Sequence, residues 1–235
     1  MHRTGSLGKT MTSKASVRAN SIGVGLATGL YGISFGALAV AAGLDIWQTQ
    51  VLSLMMFSGG SQFAFVGVLA SGGVAAVPSA IVSAWLLGIR NGFYAIRMAP
   101  VLGLRRRSLV VASQLTIDES TAVALAQESK EDQREGFWTT GIAVFVFWNA
   151  LTLLGALAGS FIGKPETYGL DAAAAAAFIA LVWPRIKSLL ESLTALIALV
   201  VAAVTSIWLP VGIPVMVAGL VAVIIANLAH SKAAK

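Results

Sequence analysis

The feature that most constrains this chain is the length of its apolar runs. In residues 20–89 the only charged residue is Asp45, and residues 136–163 contain none. An ordinary soluble domain carries roughly 25% charged residues, whereas this chain of 235 residues carries 11% and has a mean hydropathy of +0.84. No soluble fold has enough interior to bury such runs. Because a helix satisfies the hydrogen bonds of its own backbone N–H and C=O groups in lipid, the sequence predicts an all-α membrane protein.

The number of crossings follows from the thickness of the bilayer. A hydrocarbon core about 30 Å thick needs about 20 mostly apolar helical residues. Six stretches qualify: 22–43, 74–102, 137–162, 170–183, 188–207 and 211–229. Two further stretches, 46–71 and 109–127, are apolar but interrupted by small, polar or acidic residues. The sequence therefore predicts a polytopic protein with six to eight transmembrane helices, in which these two stretches are broken or re-entrant.

The basic residues favour six crossings. Arg and Lys in short loops mark the cytoplasmic face. If both interrupted stretches are re-entrant, thirteen of the sixteen basic residues share the face of the N-terminus, and one, Lys164, lies opposite. With eight crossings, ten basic residues would lie on the face of the N-terminus and four on the opposite face. Both arrangements place both termini in the cytoplasm, with a tail at 1–20, a single transporter domain at 21–230 and a second tail at 231–235.

Several classes of function are excluded by missing residues. The chain has no cysteine, and its two histidines, His2 and His230, lie near the ends. Disulfides, thiolate chemistry and cysteine metal sites are thereby excluded, and no Ser-His, paired-Asp or metal constellation indicates an enzyme or a cofactor. The net charge of +6 does not indicate a nucleic-acid partner, because the basic residues lie between apolar stretches. We expect the lipid bilayer to surround the chain instead.

A stripe of glycines lines one face of the first predicted span. Its members are Gly25, Gly29, Gly32 and Gly36. Their spacing contains two G-x-x-x-G patterns, which let another helix approach the backbone closely. We interpret the stripe as a packing surface against the bundle or a partner subunit, with no need for substrate contact.

The first interrupted stretch contains a candidate binding site. Its interruption consists of Ser58, Gly59, Gly60, Ser61 and Gln62, flanked by Phe57, Phe63 and Phe65. Unwound backbone in a membrane is tolerated only where protein or a watery cavity satisfies it. The N–H groups of the following half-helix would favour a carboxylate, and the phenylalanines would suit an apolar side chain. The alternative is close helix packing, but packing does not require the polar side chain of Gln62.

Charged residues within apolar stretches are the second candidate feature. Arg90 and Asn91 lie deep in a predicted span, where a charge costs about 2.5–3.5 kcal/mol on insertion scales. Arg90 would bind either a substrate carboxylate or an internal acidic partner. Asp118 and Glu119 lie in the second interrupted stretch, where either carboxylate could carry a proton, hold a substrate ammonium, cap a helix or pair with an arginine.

An internal repeat is a further hypothesis. Residues 46–102 and 108–163 each contain a broken segment with a Ser-Gln pair, followed by a long helix with an asparagine. If six spans cross, the two units enter from opposite faces, which is the layout of an inverted repeat with a midplane binding site. Coincidence is the alternative, because the spacing from Ser-Gln to asparagine differs between the units.

Four short motifs together resemble the AzlC family of branched-chain amino acid permeases. They are residues 31–36, 58–63, 90–100 and 116–119, in the order found in the family. The resemblance implies a bacterial inner-membrane exporter of leucine, isoleucine and valine that works with a small AzlD-type membrane subunit. Many members carry an Arg-His pair after the asparagine, whereas here Gly92 and Phe93 follow Asn91. A proton role for that histidine therefore does not carry over.

The residues and the resemblance agree on a secondary transporter for zwitterionic, aliphatic amino acids. No Walker motif is present, so an ion gradient would supply the energy. The alternatives are a channel and a non-transporting structural subunit of a membrane complex.

Overall fold

The computed structural model describes residues 4–103, 106–161, 179, 183, 186–209 and 213–233, and in these ranges it contains helices and no strand. The helices are α1 (Thr4–Ala41), α2 (Ile46–Met55), α3 (Gly59–Gly72), α4 (Val77–Leu102), α5 (Arg106–Leu115), α6 (Asp118–Leu125), α7 (Lys130–Phe161), α8 (Leu189–Thr205) and α9 (Ile213–Ala233). A 3-10 turn, Gly73–Ala76, joins α3 to α4. The predicted all-α membrane fold is confirmed.

Three described helical stretches are long and apolar enough to cross a membrane. They are Lys14–Ala41, Gly59–Leu102 and Lys130–Phe161. Two shorter apolar helices follow at Leu189–Thr205 and Ile213–Ala229. The predicted span at 170–183 lies outside the described residues except for positions 179 and 183.

The centre of the fold is a parallel pair formed by α1 and α7. Both helices begin at the same face, where Lys14 pairs with Glu131 and Arg18 with Glu135. Above these ion pairs the glycine stripe of α1 lies directly against α7, and Gly155 and Gly159 of α7 lie against α1. The interpretation of the stripe as a packing surface is confirmed.

The glycine stripe leads to a prediction about stability. A Cβ added at Gly36 would lie 2.1 Å from the carbonyl oxygen of Thr152 and 2.6 Å from the amide nitrogen of Ala156. Because both are backbone atoms, α1 and α7 would have to separate. We expect Gly36→Leu to lower the amount of folded protein in membranes severely. The matched control is Gly23→Leu, since a Cβ at Gly23 meets nothing within 4 Å. Equal amounts of the two variants, measured with their thermal unfolding temperatures, would contradict the packing role.

The first interrupted stretch is a re-entrant hairpin. Asp45 caps α2 by accepting a hydrogen bond from the Gln48 amide at 2.7 Å. After the break at Met56–Ser58, α3 runs back antiparallel to α4, so that Gly60 lies beside Arg90. At 14 residues, α3 is about 21 Å long and too short to cross. The hairpin therefore enters and leaves at the face where α1 ends.

The second interrupted stretch forms a hairpin at the opposite face. The end of α4 lies beside the beginning of α7, because the Arg134 guanidinium donates to the Val101 carbonyl at 2.8 Å. From there α5 rises along α4, and α6 returns along α7, with Val123 beside Gly136. Since α4 ends at the face where α1 and α7 begin, it runs antiparallel to both. In the six-span arrangement α4 runs antiparallel to α1 and α7, whereas in the eight-span arrangement it would run parallel to them. The orientation of α4 in the structure therefore agrees with six spans.

Cysteine labelling tests this topology in a chain that has no cysteine of its own. Ser108 lies in α5, and Val74 lies in the turn between α3 and α4, where it is 86% exposed. We expect Ser108→Cys to react only with reagents that reach the cytoplasm and Val74→Cys to react with an impermeant external reagent. The reverse pattern would establish eight crossings.

Some boundaries differ from the sequence prediction. The mixed-charge run at 128–135 is typical of a solvated loop, but α7 begins at Lys130 and uses Glu131 and Glu135 to bind α1. The predicted tail at 1–20 is helical from Thr4 onward, and α9 continues to Ala233 within the predicted second tail. The described parts of these tails thus extend the first and last helices of the predicted membrane domain.

The structure also changes the register of the internal repeat. Each unit contains a half-helix, a break, a second half-helix and a long helix: α2, α3 and α4 in the first, α5, α6 and α7 in the second. Ser61-Gln62 follows the first break, whereas Ser113-Gln114 precedes the second, so the Ser-Gln pairs are not equivalent. Aligned on the half-helix starts, Asn91 comes 32 residues after Gly59 and Asn149 comes 31 after Asp118. The difference in spacing that favoured coincidence is thereby reduced to one residue.

Candidate functional site

The two breaks meet in the interior, about halfway along the long helices. The Gln114 amide, at the end of α5, donates to the Leu54 carbonyl at the end of α2, at 2.8 Å. Each break is also held by the long helix of the other unit: Trp148 of α7 lies against Gly59, and Arg90 of α4 contacts Asp118. This reciprocal arrangement is what an inverted repeat produces at its interface.

The first break is closed by uncharged, buried groups. Gln62 is fully buried, and its amide nitrogen donates to the carbonyls of Met56 at 2.7 Å and Ser53 at 3.2 Å. Its amide oxygen accepts a hydrogen bond from the Trp148 indole at 2.8 Å. Since these bonds satisfy the unwound backbone from within the protein, Gln62 supports the break. Substrate binding by Gln62 stays a prediction.

The phenylalanines beside this break belong to the protein core. The Phe57 ring packs edge-on against Phe145 with centroids 5.0 Å apart, and Phe63 packs against Phe35 and Trp148. Phe57 is 7% exposed and Phe63 is 2% exposed. They were predicted to bind an aliphatic side chain, but here they contact other aromatic rings. The partly buried Phe65 packs against the same core.

The second break carries the charged centre of the molecule. The Arg90 guanidinium lies 2.7 Å from one carboxylate oxygen of Asp118, and the Tyr94 hydroxyl donates to the other at 2.6 Å. The side chains of Arg90 and Asp118 are 26% and 30% exposed. Unlike the first break, the second one therefore carries charged side chains that are only partly buried. The backbone of this break is satisfied by Ser120, whose hydroxyl donates to the Leu115 carbonyl at 2.6 Å.

The start of α3 adds a positive end to this centre. A Cβ added at Gly60 would lie 2.8 Å from a terminal nitrogen of Arg90. Ser58, the residue before α3, makes no side-chain cap, and the Ser61 hydroxyl donates to the Ser58 hydroxyl at 3.2 Å. A helix N-terminus and a guanidinium are both positive, so their close approach favours an anion between them. Asp118 supplies one negative charge, and a ligand carboxylate would supply another.

The remaining predicted residues surround this centre. Asn91 follows Arg90 in α4, and its side-chain oxygen is buried without a hydrogen-bond partner. Asn149, its counterpart in α7, also has a buried side-chain oxygen without a partner. Glu119 is partly buried in the first turn of α6, beside Asp118. Gly59 lies against the Trp148 ring, and a Cβ added at Gly59 would lie 3.0 Å from that ring.

Two residues at the centre, Tyr94 and Trp148, were missed as site candidates. Tyr94 lies one helical turn after Arg90, and that spacing was a usable signal. Trp148 precedes Asn149 as Arg90 precedes Asn91, but the two pairs come to within one position of each other only when the repeat is aligned on its half-helices. A cavity of about 630 Å³ lies elsewhere, near Asp45 and Ser160 at the ends of α1 and α7, away from the charged centre.

The fold and its centre define an all-α integral membrane protein in which two broken hairpins lie beside a charged pair that joins α4 to α6. The family model described as "AzlC protein" matches residues 23–162, and the chain belongs to that family. The matched region extends from α1 to α7 and contains both breaks. This membership is consistent with a role in membrane transport.

Comparison with individual proteins adds a distant relative. An uncharacterized membrane protein of Helicobacter pylori is 24% identical over 160 residues, which cover 67% of this chain and 69% of the relative. No solved structure matches the chain.

Proposed function

We propose that this protein is a secondary transporter that exports branched-chain amino acids across the bacterial inner membrane, using an ion gradient and a small AzlD-type membrane subunit. The observation that carries the proposal is the partly exposed pair of Arg90 and Asp118 between the starts of α3 and α6. A zwitterion has the charges to bind both residues. Its carboxylate would bind Arg90 and the N-terminal end of α3, and its ammonium would bind Asp118.

The inverted arrangement of the hairpins supports a transporter. Half-helices that meet near the midplane from opposite faces allow alternating access, because one unit can rock against the other around a central site. The breaks lie beside Arg90 and Trp148, roughly at the middle of α4 and α7. A charge at this depth is costly unless it has a partner or a function. The direction of transport, export rather than import, is proposed from the resemblance to the family.

The apolar surface of α4 is compatible with a membrane subunit. Trp85, Phe93 and Ile96 lie on α4 and are 69%, 66% and 72% exposed. Lipid or a small hydrophobic subunit would cover such a surface. The described residues of α8 are also unburied, so the bundle has apolar faces on which a subunit could pack.

The test is the export of labelled leucine, valine and methionine from cells with and without this gene and its immediate neighbour. We expect leucine and valine to leave faster when both genes are present, and we expect an uncoupler to abolish the concentrative flux. Flux that persists down a concentration gradient with the uncoupler would indicate a channel. Export that is unchanged by deletion of the gene would indicate a structural subunit.

A further inference from the structure

The two breaks differ in a way that the repeat itself does not require. The first is held by Trp148 and Gln62, which are 4% and 0% exposed and uncharged. The second is held by Arg90 and Asp118, whose side chains are 26% and 30% exposed. The second contact is therefore the more exposed of the two. A ligand can replace a protein partner more readily there than at the buried contact.

Charge balance restricts which ligands can make that exchange. Arg90 and Asp118 neutralise each other at 2.7 Å. A ligand that separates them without replacing both leaves an uncompensated charge in a region of low dielectric, which is strongly unfavourable. A carboxylic acid could replace Asp118 beside Arg90 but would leave Asp118 without its cation. An amine would leave Arg90 without its anion.

We infer that Arg90 and Asp118 form an internal charge pair that substrate must replace with two opposite charges at once, so that the site selects zwitterions over acids and amines of the same shape. This inference rests on the proposed function and specifies how its site chooses substrate. An α-amino acid carries its ammonium on the carbon next to its carboxylate, so one molecule inserts between the two side chains. The pair closes again when substrate leaves, which keeps the empty centre neutral.

Tyr94 has a defined role in this exchange as a positioning residue. Its hydroxyl donates to the Asp118 oxygen that does not face Arg90. When Arg90 moves to the substrate carboxylate, this hydrogen bond keeps the Asp118 carboxylate in place for the incoming ammonium. Arg90 and Tyr94 lie one helical turn apart on α4 and can therefore contact the same carboxylate.

The test uses leucine analogues that lack one charge. Proteoliposomes containing the full chain, with any subunit that copurifies, exchange labelled leucine in the presence of valine, 4-methylpentanoate or 3-methylbutylamine. The acid lacks the ammonium of leucine and the amine lacks its carboxylate. We expect valine to compete, and both one-charge analogues to compete at least about tenfold less well, equivalent to about 1.4 kcal/mol.

The outcomes separate the inference from the proposed function. If leucine exchanges and either one-charge analogue competes as well as valine, the inference is wrong and the transport function stands. If leucine does not exchange at all, both fail. Tyr94→Phe should weaken the apparent affinity for leucine about threefold to tenfold, because the ammonium site loses its alignment. The difference in apparent affinity between leucine and 4-methylpentanoate should therefore become smaller. Tyr31→Phe, at a 50% exposed position in α1, is the matched control and should change neither value.

Discussion

Asp118→Asn is expected to lower gradient-driven export of labelled leucine at least about tenfold, equivalent to about 1.4 kcal/mol. The substitution keeps the size of the side chain but removes the negative charge that faces Arg90 at 2.7 Å. A substrate ammonium then has no counterion, and a proton carrier at this position would lose its titratable group. The measurement is efflux from preloaded cells, normalised to the amount of protein in the membrane.

The same variant separates a transport role from a structural one. Because Asp118→Asn leaves Arg90 without its partner, some loss of folded protein is also expected. The double variant Arg90→Gln/Asp118→Asn removes both charges and should restore the protein level without restoring export. Glu128→Gln, which changes an exposed carboxylate between α6 and α7, is the control. Normal export by Asp118→Asn across a range of pH would contradict both roles and leave Asp118 as a helix cap.

Gly60→Leu is expected to abolish export while the protein still inserts and folds. A Cβ at Gly60 would lie 2.8 Å from the Arg90 guanidinium, which is the far end of a flexible side chain and can move aside. The fold can therefore adapt, but the leucine side chain would push Arg90 away from Asp118 and fill the space beside the start of α3. Export of labelled leucine and the thermal unfolding temperature of the purified protein are the two measurements.

A second glycine provides the matched control for this variant. Gly92 lies in α4, two residues after Arg90, and a Cβ there meets nothing within 4 Å. Gly92→Leu thus makes the same change near the same depth without entering the centre. We expect it to export normally. Wild-type export by Gly60→Leu, or an equal loss in both variants, would show that Gly60 has no specific role beside Arg90.

Local features of the sequence were sufficient for the fold class and for the positions of the breaks. A helix in lipid must be about 20 apolar residues long, so span positions follow from composition along the chain. Small and polar residues at 58–61, and Asp118 with Glu119, interrupt two such stretches. The structure breaks its helices at 56–58 and 116–117, so most of these residues form the first turn of the following half-helix and not the break itself. The glycine stripe of α1 could also be interpreted locally, because its helical spacing defines one face.

The register of the repeat could not be obtained in the same way. The Ser-Gln pairs mark both breaks in composition, but one follows its break and the other precedes it. A polar pair shows that a helix is interrupted without showing on which side the new helix begins. Only the starts of α3 and α6, fixed by backbone conformation, bring Asn91 to within one position of Asn149, and Arg90 to within one position of Trp148.

What the sequence by itself determined is thus an all-α membrane protein with two broken stretches and buried charges that need partners. The tertiary structure alone decided which partners they have. Asp118 binds Arg90, 28 residues away in the chain, because the second hairpin places the start of α6 beside the middle of α4. Gln62 and Phe63, polar and apolar candidates for substrate, lie instead in the protein interior beside Trp148. Side chains at a break can contact ligand or protein equally well, and only the packing of distant helices selects between them.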